Sequence, residues 1–233
     1  MKPRVCVPLP ASSISELASL IVRAERAGAD LIEVRLDYMG IDNVALIDEF
    51  EGIIKQASVP LIATNRQHEQ GGHGRQNEEL RVQTLIRAAE AGVQYVDLEL
   101  TTADVEVTVQ KVRACGAKPI VSFHDLEHTP SEPVMKKIVR SQIALGAEIC
   151  KLVTTADDVK DNLRCLSVTR QMSEATRVVC FAIGPKGLLS RVLSPIFGAY
   201  FTFASLKEEL ETASGQISIA ELKELYRRLG VTE

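Results

Sequence analysis

The sequence predicts one domain over residues 1–233, a single (β/α)8 TIM barrel with parallel strands. Three observations predict it. Short runs rich in Val and Ile alternate with longer stretches of helical period, eight times over. The apolar runs are continuous more than strictly alternating, which suits strands covered on both faces. A repeated phrase ends helix candidates and feeds strands: Ala27-Gly28, Ala91-Gly92, Cys115-Gly116 and Leu145-Gly146. No linker, low-complexity tract or composition shift divides the chain. A doubly wound open sheet is the alternative, but it favours a Gly-rich first βα turn. Here that turn reads Pro8-Leu9-Pro10-Ala11-Ser12.

The strand candidates, in order, are 4–9, 31–37, 61–66, 95–100, 120–124, 149–154, 178–183 and 200–204. The first helix opens on a capping box, Ser13 with Glu16 three residues on. It carries Leu17, Leu20, Ile21 and Ala24 on one stripe and closes at Gly28. The third starts near Glu78 and ends at Ala91-Gly92. The fourth and fifth end at Cys115-Gly116 and Leu145-Gly146. The eighth opens on a second capping box, Ser218 with Glu221, and ends at Gly230.

Composition narrows the function. The chain has 233 residues, 45% apolar and 25% charged, with a net charge of −4. A net acidic chain with 4% aromatic residues is a poor partner for nucleic acid or an anionic membrane surface. Its apolar runs fall far short of the ~20 residues of a membrane span. Met1-Lys2-Pro3-Arg4 enters a strand without a signal-peptide core. The five cysteines include no Cys-x-x-Cys pair, so free thiols in a reducing cytoplasm are expected, with no metal site.

The site is sought among polar residues late in the strands, because barrel chemistry sits at the C-terminal strand ends. Glu33, Arg35 and Asp37 share one face of the second strand. Glu33 and Arg35 form either a structural ion pair or a binding site for a polyhydroxylated substrate. Arg66 ends the third strand. Asp97 and Glu99 place two acids on one face of the fourth, fit to neutralise a cation in the lumen. His124 ends the fifth, alone of four histidines. Lys151 lies mid-strand among apolar neighbours in the sixth. Burial and nearby cations would push such a lysine toward the neutral amine, which attacks carbonyls to form imines. The alternative is a lysine paired with Glu99 or Glu33. The Gly184–Gly187 loop and Arg191 suit an anion, and the polar loop 212–216 is either a mobile lid or a plain connector.

Together these motifs resemble the type I 3-dehydroquinate dehydratase family, the Schiff-base enzymes of the shikimate pathway. The resemblance runs along nearly the whole chain. It rests on Glu33-Val34-Arg35-Leu36-Asp37, Thr64-Asn65-Arg66 with Gly71-Gly72, Asp97-Leu98-Glu99-Leu100, Ser122-Phe123-His124-Asp125 with Thr129-Pro130, Lys151, Gly184 to Arg191, and Gly215-Gln216-Ile217-Ser218. The chain is similar to the shorter archaeal-type members, which lack an N-terminal β-hairpin.

The resemblance implies cis elimination of water from 3-dehydroquinate to give 3-dehydroshikimate, the third step toward chorismate and aromatic amino acids, without a cofactor. It implies Lys151 as the imine-forming residue and His124 as the base that later protonates the leaving hydroxyl. It implies Arg191 for the substrate carboxylate, Glu33, Arg35 and Arg66 for the ring, and Thr212 and Gln216 closing over it. The family's usual Glu before Gly-Gly, which supports the histidine, is Gln70 here, with Glu69 beside it. The expectation is that Gln70 takes the role and that His124 titrates low; the alternative is a one-residue shift of the loop that lets Glu69 do it. Thr212 stands where many members carry Ser. A homodimer is the expected assembly. A class I aldolase acting on a phosphorylated sugar is the second reading of the same lysine, and a metabolite-binding barrel without activity the third.

Overall fold

In the computed structural model, residues 2–39, 46–74, 76–206, 212 and 215–231 are described. Eight parallel strands run in the order β7-β6-β5-β4-β3-β2-β1-β8. They are β1 Val5–Leu9, β2 Leu31–Arg35, β3 Leu61–Thr64, β4 Tyr95–Glu99, β5 Lys118–His124, β6 Ile149–Thr155, β7 Arg177–Ile183 and β8 Thr202–Phe203. Between and after them lie α1 Ile14–Arg26, α2 Leu46–Gln56, α3 Glu78–Glu90, α4 Val105–Ala114, α5 Glu132–Ala144, α6 Asp161–Met172, α7 Leu188–Leu193 and α8 Ile219–Arg228. The ring closes where Tyr200 N–H donates to the Val178 carbonyl at 2.8 Å, bringing the start of β8 back onto β7. This is a single-domain (β/α)8 TIM barrel.

All eight expected strands change by at least one residue; β5 begins two residues early, at Lys118, and β2, β3 and β8 contract most. β2 stops at Arg35 because 36–38 form a 3-10 turn, which swings the Asp37 carboxylate back onto the Arg35 guanidinium at 2.6 Å. β3 stops at Thr64, so Arg66 lies in the loop beyond it. β8 is two residues long instead of five. At α1, Ser13 Oγ accepts from Glu16 N–H at 3.2 Å, but the Glu16 carboxylate accepts from Ser12 N–H at 2.8 Å. Half of that capping box has therefore shifted by one residue. The box at α8 is complete, with Ser218 and Glu221 satisfying each other's backbone donors.

The apolar residues form two layers. One lies between sheet and helices and includes Leu17, Leu20, Ile21, Val34, Leu85 and Val96. The other plugs the lower lumen with Leu31, Ile62, Tyr95, Ile120 and Ile149. Side chains alternate across a strand. Two residues further along these same strands stand Glu33, Thr64, Asp97, Ser122 and Lys151, all buried. The lumen thus changes from an apolar plug to a polar layer within one step of the pleat. Among the described residues no helix is long and apolar enough to cross a membrane.

Leu85 is wholly buried on α3. Leu85→Ala is expected to cost about 2–5 kcal/mol by lost transfer energy plus a residual cavity. Chemical denaturation checks this, and a cost within ~0.5 kcal/mol, typical of surface changes, would contradict the described packing.

Candidate active site

A cavity of about 170 Å³ opens above the polar layer. Its lining includes Glu33, Arg35, Arg66, Gln70, His124, Lys151, Arg191, Thr212 and Gln216. Residues from six strand ends and the last loop therefore converge on one space. Two expected residues do not. Glu69 is exposed on the outer side of its turn. Glu99 is buried but lies behind the lining, between Arg66 and Arg81.

Lys151 is held by acids. Its Nζ donates to Asp97 Oδ2 at 2.8 Å and to Glu33 Oε1 at 3.2 Å, and Thr64 Oγ1 donates to the same Glu33 oxygen at 2.8 Å. This corrects two expectations. The groups nearest the amine are carboxylates, not cations, and its partners are Glu33 and Asp97 rather than Glu99. A flat aromatic face lies on another side, with Phe203 centred 4.6 Å from Nζ.

The acids are held in turn. Asp97 pairs with Arg66 Nη2 at 2.8 Å and accepts from Ser122 Oγ at 2.5 Å. Burial alone would raise its pKa, but Arg66 and Lys151 outweigh that and hold the carboxyl far below the usual range. Arg66 Nη1 donates to Glu99 at 2.7 Å, and Arg81 donates to the other Glu99 oxygen at 2.6 Å. Arg35 pairs with Asp37 and not with the neighbouring Glu33. Arg191 is buried with its guanidinium 4.5 Å from the centre of the Phe181 ring.

His124 sits half-buried at the end of β5. The Gln70 Oε1 oxygen accepts from His124 N–H at 3.0 Å and lies 3.3 Å from Nδ1. The Gln70 amide is oriented by its other end, where Nε2 donates to Thr101 Oγ1 at 2.7 Å and to Gln67 Oε1 at 3.3 Å. An oxygen facing Nδ1 assigns the proton there and leaves Nε2 with its lone pair free. Desolvation, and then Arg66 and Lys151, push the His124 pKa well below the ordinary imidazole range. A neutral imidazole with a free Nε2 is equipped to take a proton. The turn that delivers Gln70 depends on Gly72, where a Cβ would lie 2.0 Å from the Arg66 carbonyl oxygen.

At the open side, Thr212 N–H donates to Gln216 Oε1 at 3.0 Å and Gln216 Nε2 donates to Thr212 Oγ1 at 3.2 Å. Between them, Ala213 and Ser214 lie outside the described residues. Gly215 has φ +74°, and a Cβ there would come within 2.6 Å of the Gly184 carbonyl. From the stretch 184–191, Arg191 reaches the cavity, whereas Lys186 donates outward to the Asp157 carbonyl at 2.6 Å.

Sequence reasoning read Asp97 only as an acid that could neutralise a cation in the lumen, which is how it meets Lys151, and did not single out Ser122, Arg81, Phe181 or Phe203. Asp97 carried a signal, an acid on the face shared with Glu99. The other four carry none until the strands are closed into a ring. Among the described residues no group of His, Cys, Asp or Glu is arranged to hold a metal ion.

The family model for type I 3-dehydroquinase matches residues 5–233. A 3-dehydroquinate dehydratase of Dehalococcoides mccartyi is 33% identical over 214 residues, 92% of each chain. One from Methanothermobacter thermautotrophicus is 31% identical over 229 residues, 98% of each chain. The crystal structure of 3-dehydroquinate dehydratase from Geobacillus kaustophilus superposes with a TM-score of 0.92 at 24% identity, covering 99% of this chain and 92% of that one.

The neutral support of His124 has a measurable consequence. Gln70→Glu places a carboxylate against Nδ1, which favours the imidazolium and moves the His124 titration to higher pH. An NMR titration of the imidazole is the check. An unmoved titration in Gln70→Glu that shifts in Glu69→Gln would mean that Glu69 is the supporting group.

Proposed function

The chain belongs to the type I 3-dehydroquinase family, and from that premise we propose how its residues dehydrate 3-dehydroquinate to 3-dehydroshikimate. The reaction is a hydro-lyase step of the shikimate pathway and runs through a lysine Schiff base. The observation that carries the residue assignment is Lys151, a buried amine between Asp97 and Glu33, in one cavity with His124.

Lys151 gives up a proton, which leaves in the released water, and its lone pair attacks the C3 ketone. Overall, ammonium and ketone give a protonated imine and one water, with the positive charge conserved. That cation withdraws electrons from the neighbouring C2–H bond. His124 Nε2 takes the C2 proton, and the electron pair moves onto nitrogen as an enamine. The enamine expels the C1 hydroxyl, which leaves as water with the proton from His124. One base serving both positions makes the elimination cis. Hydrolysis of the imine returns Lys151. No cofactor enters, because the imine nitrogen is itself the electron sink.

The remaining roles follow from position. Arg191 binds the carboxylate, since a planar guanidinium suits bidentate contact. Arg35, Arg66 and Glu33 orient the ring, each held by its own partner. Thr212 and Gln216 exchange their mutual hydrogen bonds for the substrate. Lys186 turned outward, away from the cavity, speaks against the phosphorylated-sugar aldolase reading.

We also infer one catalytic domain over 1–233 and a cytoplasmic setting, which suits five free thiols. Val159 and Leu163 near the start of α6, with Leu188 and Leu189 of α7, are exposed apolar side chains. The two helix starts adjoin through Asn162, which bonds the Lys186 carbonyl and Ser190 N–H. This patch supports a homodimer. Sedimentation of Leu163→Glu is expected to show monomer where the wild type is dimeric. A monomeric wild type would overturn the assembly.

Borohydride trapping tests the chemistry. With 3-dehydroquinate, a single reduced adduct is expected on Lys151. Lys151→Ala should lose turnover by at least about 10³-fold and take no adduct, with its fold retained. His124→Ala should lose about 10²–10⁴-fold yet still form the adduct. No adduct on folded wild type would overturn the reading.

A further inference from the structure

The buried face of α5 reads Met135, Val139, Gln142. The first two are core residues, and the spacing makes the third a core position as well. Gln142 nevertheless carries an amide, and it is completely buried. Its Nε2 donates to the main-chain carbonyl of Lys151 at 2.8 Å. Its Oε1 has no hydrogen-bond partner among the described residues. A buried polar atom without a partner is unfavourable for stability, and Leu or Met would fill this position without one. The residue is therefore poorly explained as a contribution to the core. What its amide does hold is the backbone of the imine-forming residue, from the side of the sheet opposite the cavity. A second bond ties the same two segments, with Cys150 Sγ donating to the Val139 carbonyl at 3.8 Å.

We infer that Gln142 is a positioning residue for Lys151: its amide fixes the β6 peptide that aims the lysine side chain across the lumen. The inference rests on the imine reading above. The physical need is clear from the site. Lys151 Nζ must meet Asp97, Glu33 and a substrate carbon at the end of a long side chain that starts on β6, and reaction rates fall steeply with displacements of an ångström. Cavity residues pull on the side chain, whereas Gln142 anchors the main chain behind it. Helix α5 packs on β5 and β6 and so links the strands of His124 and Lys151.

The test is Gln142→Met, which keeps the volume and removes both polar ends. The expected result is a fall in kcat of about ten- to hundredfold, with KM within about twofold, because the groups that bind substrate are untouched. The rate of borohydride-trapped adduct formation should fall by the same factor. The melting temperature should stay level or rise, since the orphan oxygen is gone. A lower melting temperature with wild-type rates per folded molecule would make Gln142 a packing residue and overturn the inference. Gln142→Glu is the second arm. Its carboxyl can donate to the Lys151 carbonyl only when protonated, so the ratio of variant to wild-type trapping rate should fall as pH rises. A flat ratio would also overturn it. If the wild type traps no adduct at any pH, it is the imine reading that fails, and this inference with it.

Discussion

Lys151 brings a cation into a lumen from which most water is excluded, and most of the site can be read as the consequence. A buried charge is costly unless it is paired, and removing one partner of such a pair costs about 3–5 kcal/mol. Asp97 and Glu33 meet Lys151, Arg66 meets Asp97, Glu99 meets Arg66, and Arg81 meets Glu99. The chain of pairs ends on Glu78 at the half-exposed start of α3. Each member is fixed by the next, so Lys151, its two acids and Arg66 form one electrostatic unit. The apolar plug below it keeps that unit at the mouth of the barrel, where a ligand can reach it.

His124 is treated differently. It receives a neutral oxygen from Gln70, and desolvation, then the charges of Arg66 and Lys151, act against its protonation. Cations nearby and no carboxylate on Nδ1 both favour the uncharged ring. The same polar layer therefore keeps Asp97 ionised and His124 neutral. Two groups with opposite demands are served by the same two cations, Arg66 and Lys151. From the helix layer, the Gln142 amide reaches the Lys151 carbonyl behind β6.

The order of strands and helices was legible from the chain because it depends on local regularities. Apolar runs, capping residues and Gly-terminated helices each act within a few residues. The candidate site was legible because charged residues in a doubly covered strand are anomalous: Glu33, Arg66, His124 and Lys151 all stood out on that ground. Boundaries were less legible. The 3-10 turn after Arg35 and the early end of β3 are set by contacts with the following loop, which no strand pattern records.

By itself, the sequence determined the alternation of elements, the absence of any division into domains, and which side chains are too polar for the positions they occupy. The partners of those side chains were decided by the tertiary structure. Lys151 meets Asp97 across 54 residues and Glu33 across 118. Gln70, not Glu69, reaches His124 because a one-residue step around a tight turn points neighbouring side chains in different directions. Pairings of that kind depend on barrel closure and strand stagger, and these are properties of the ring as a whole, not of any one strand.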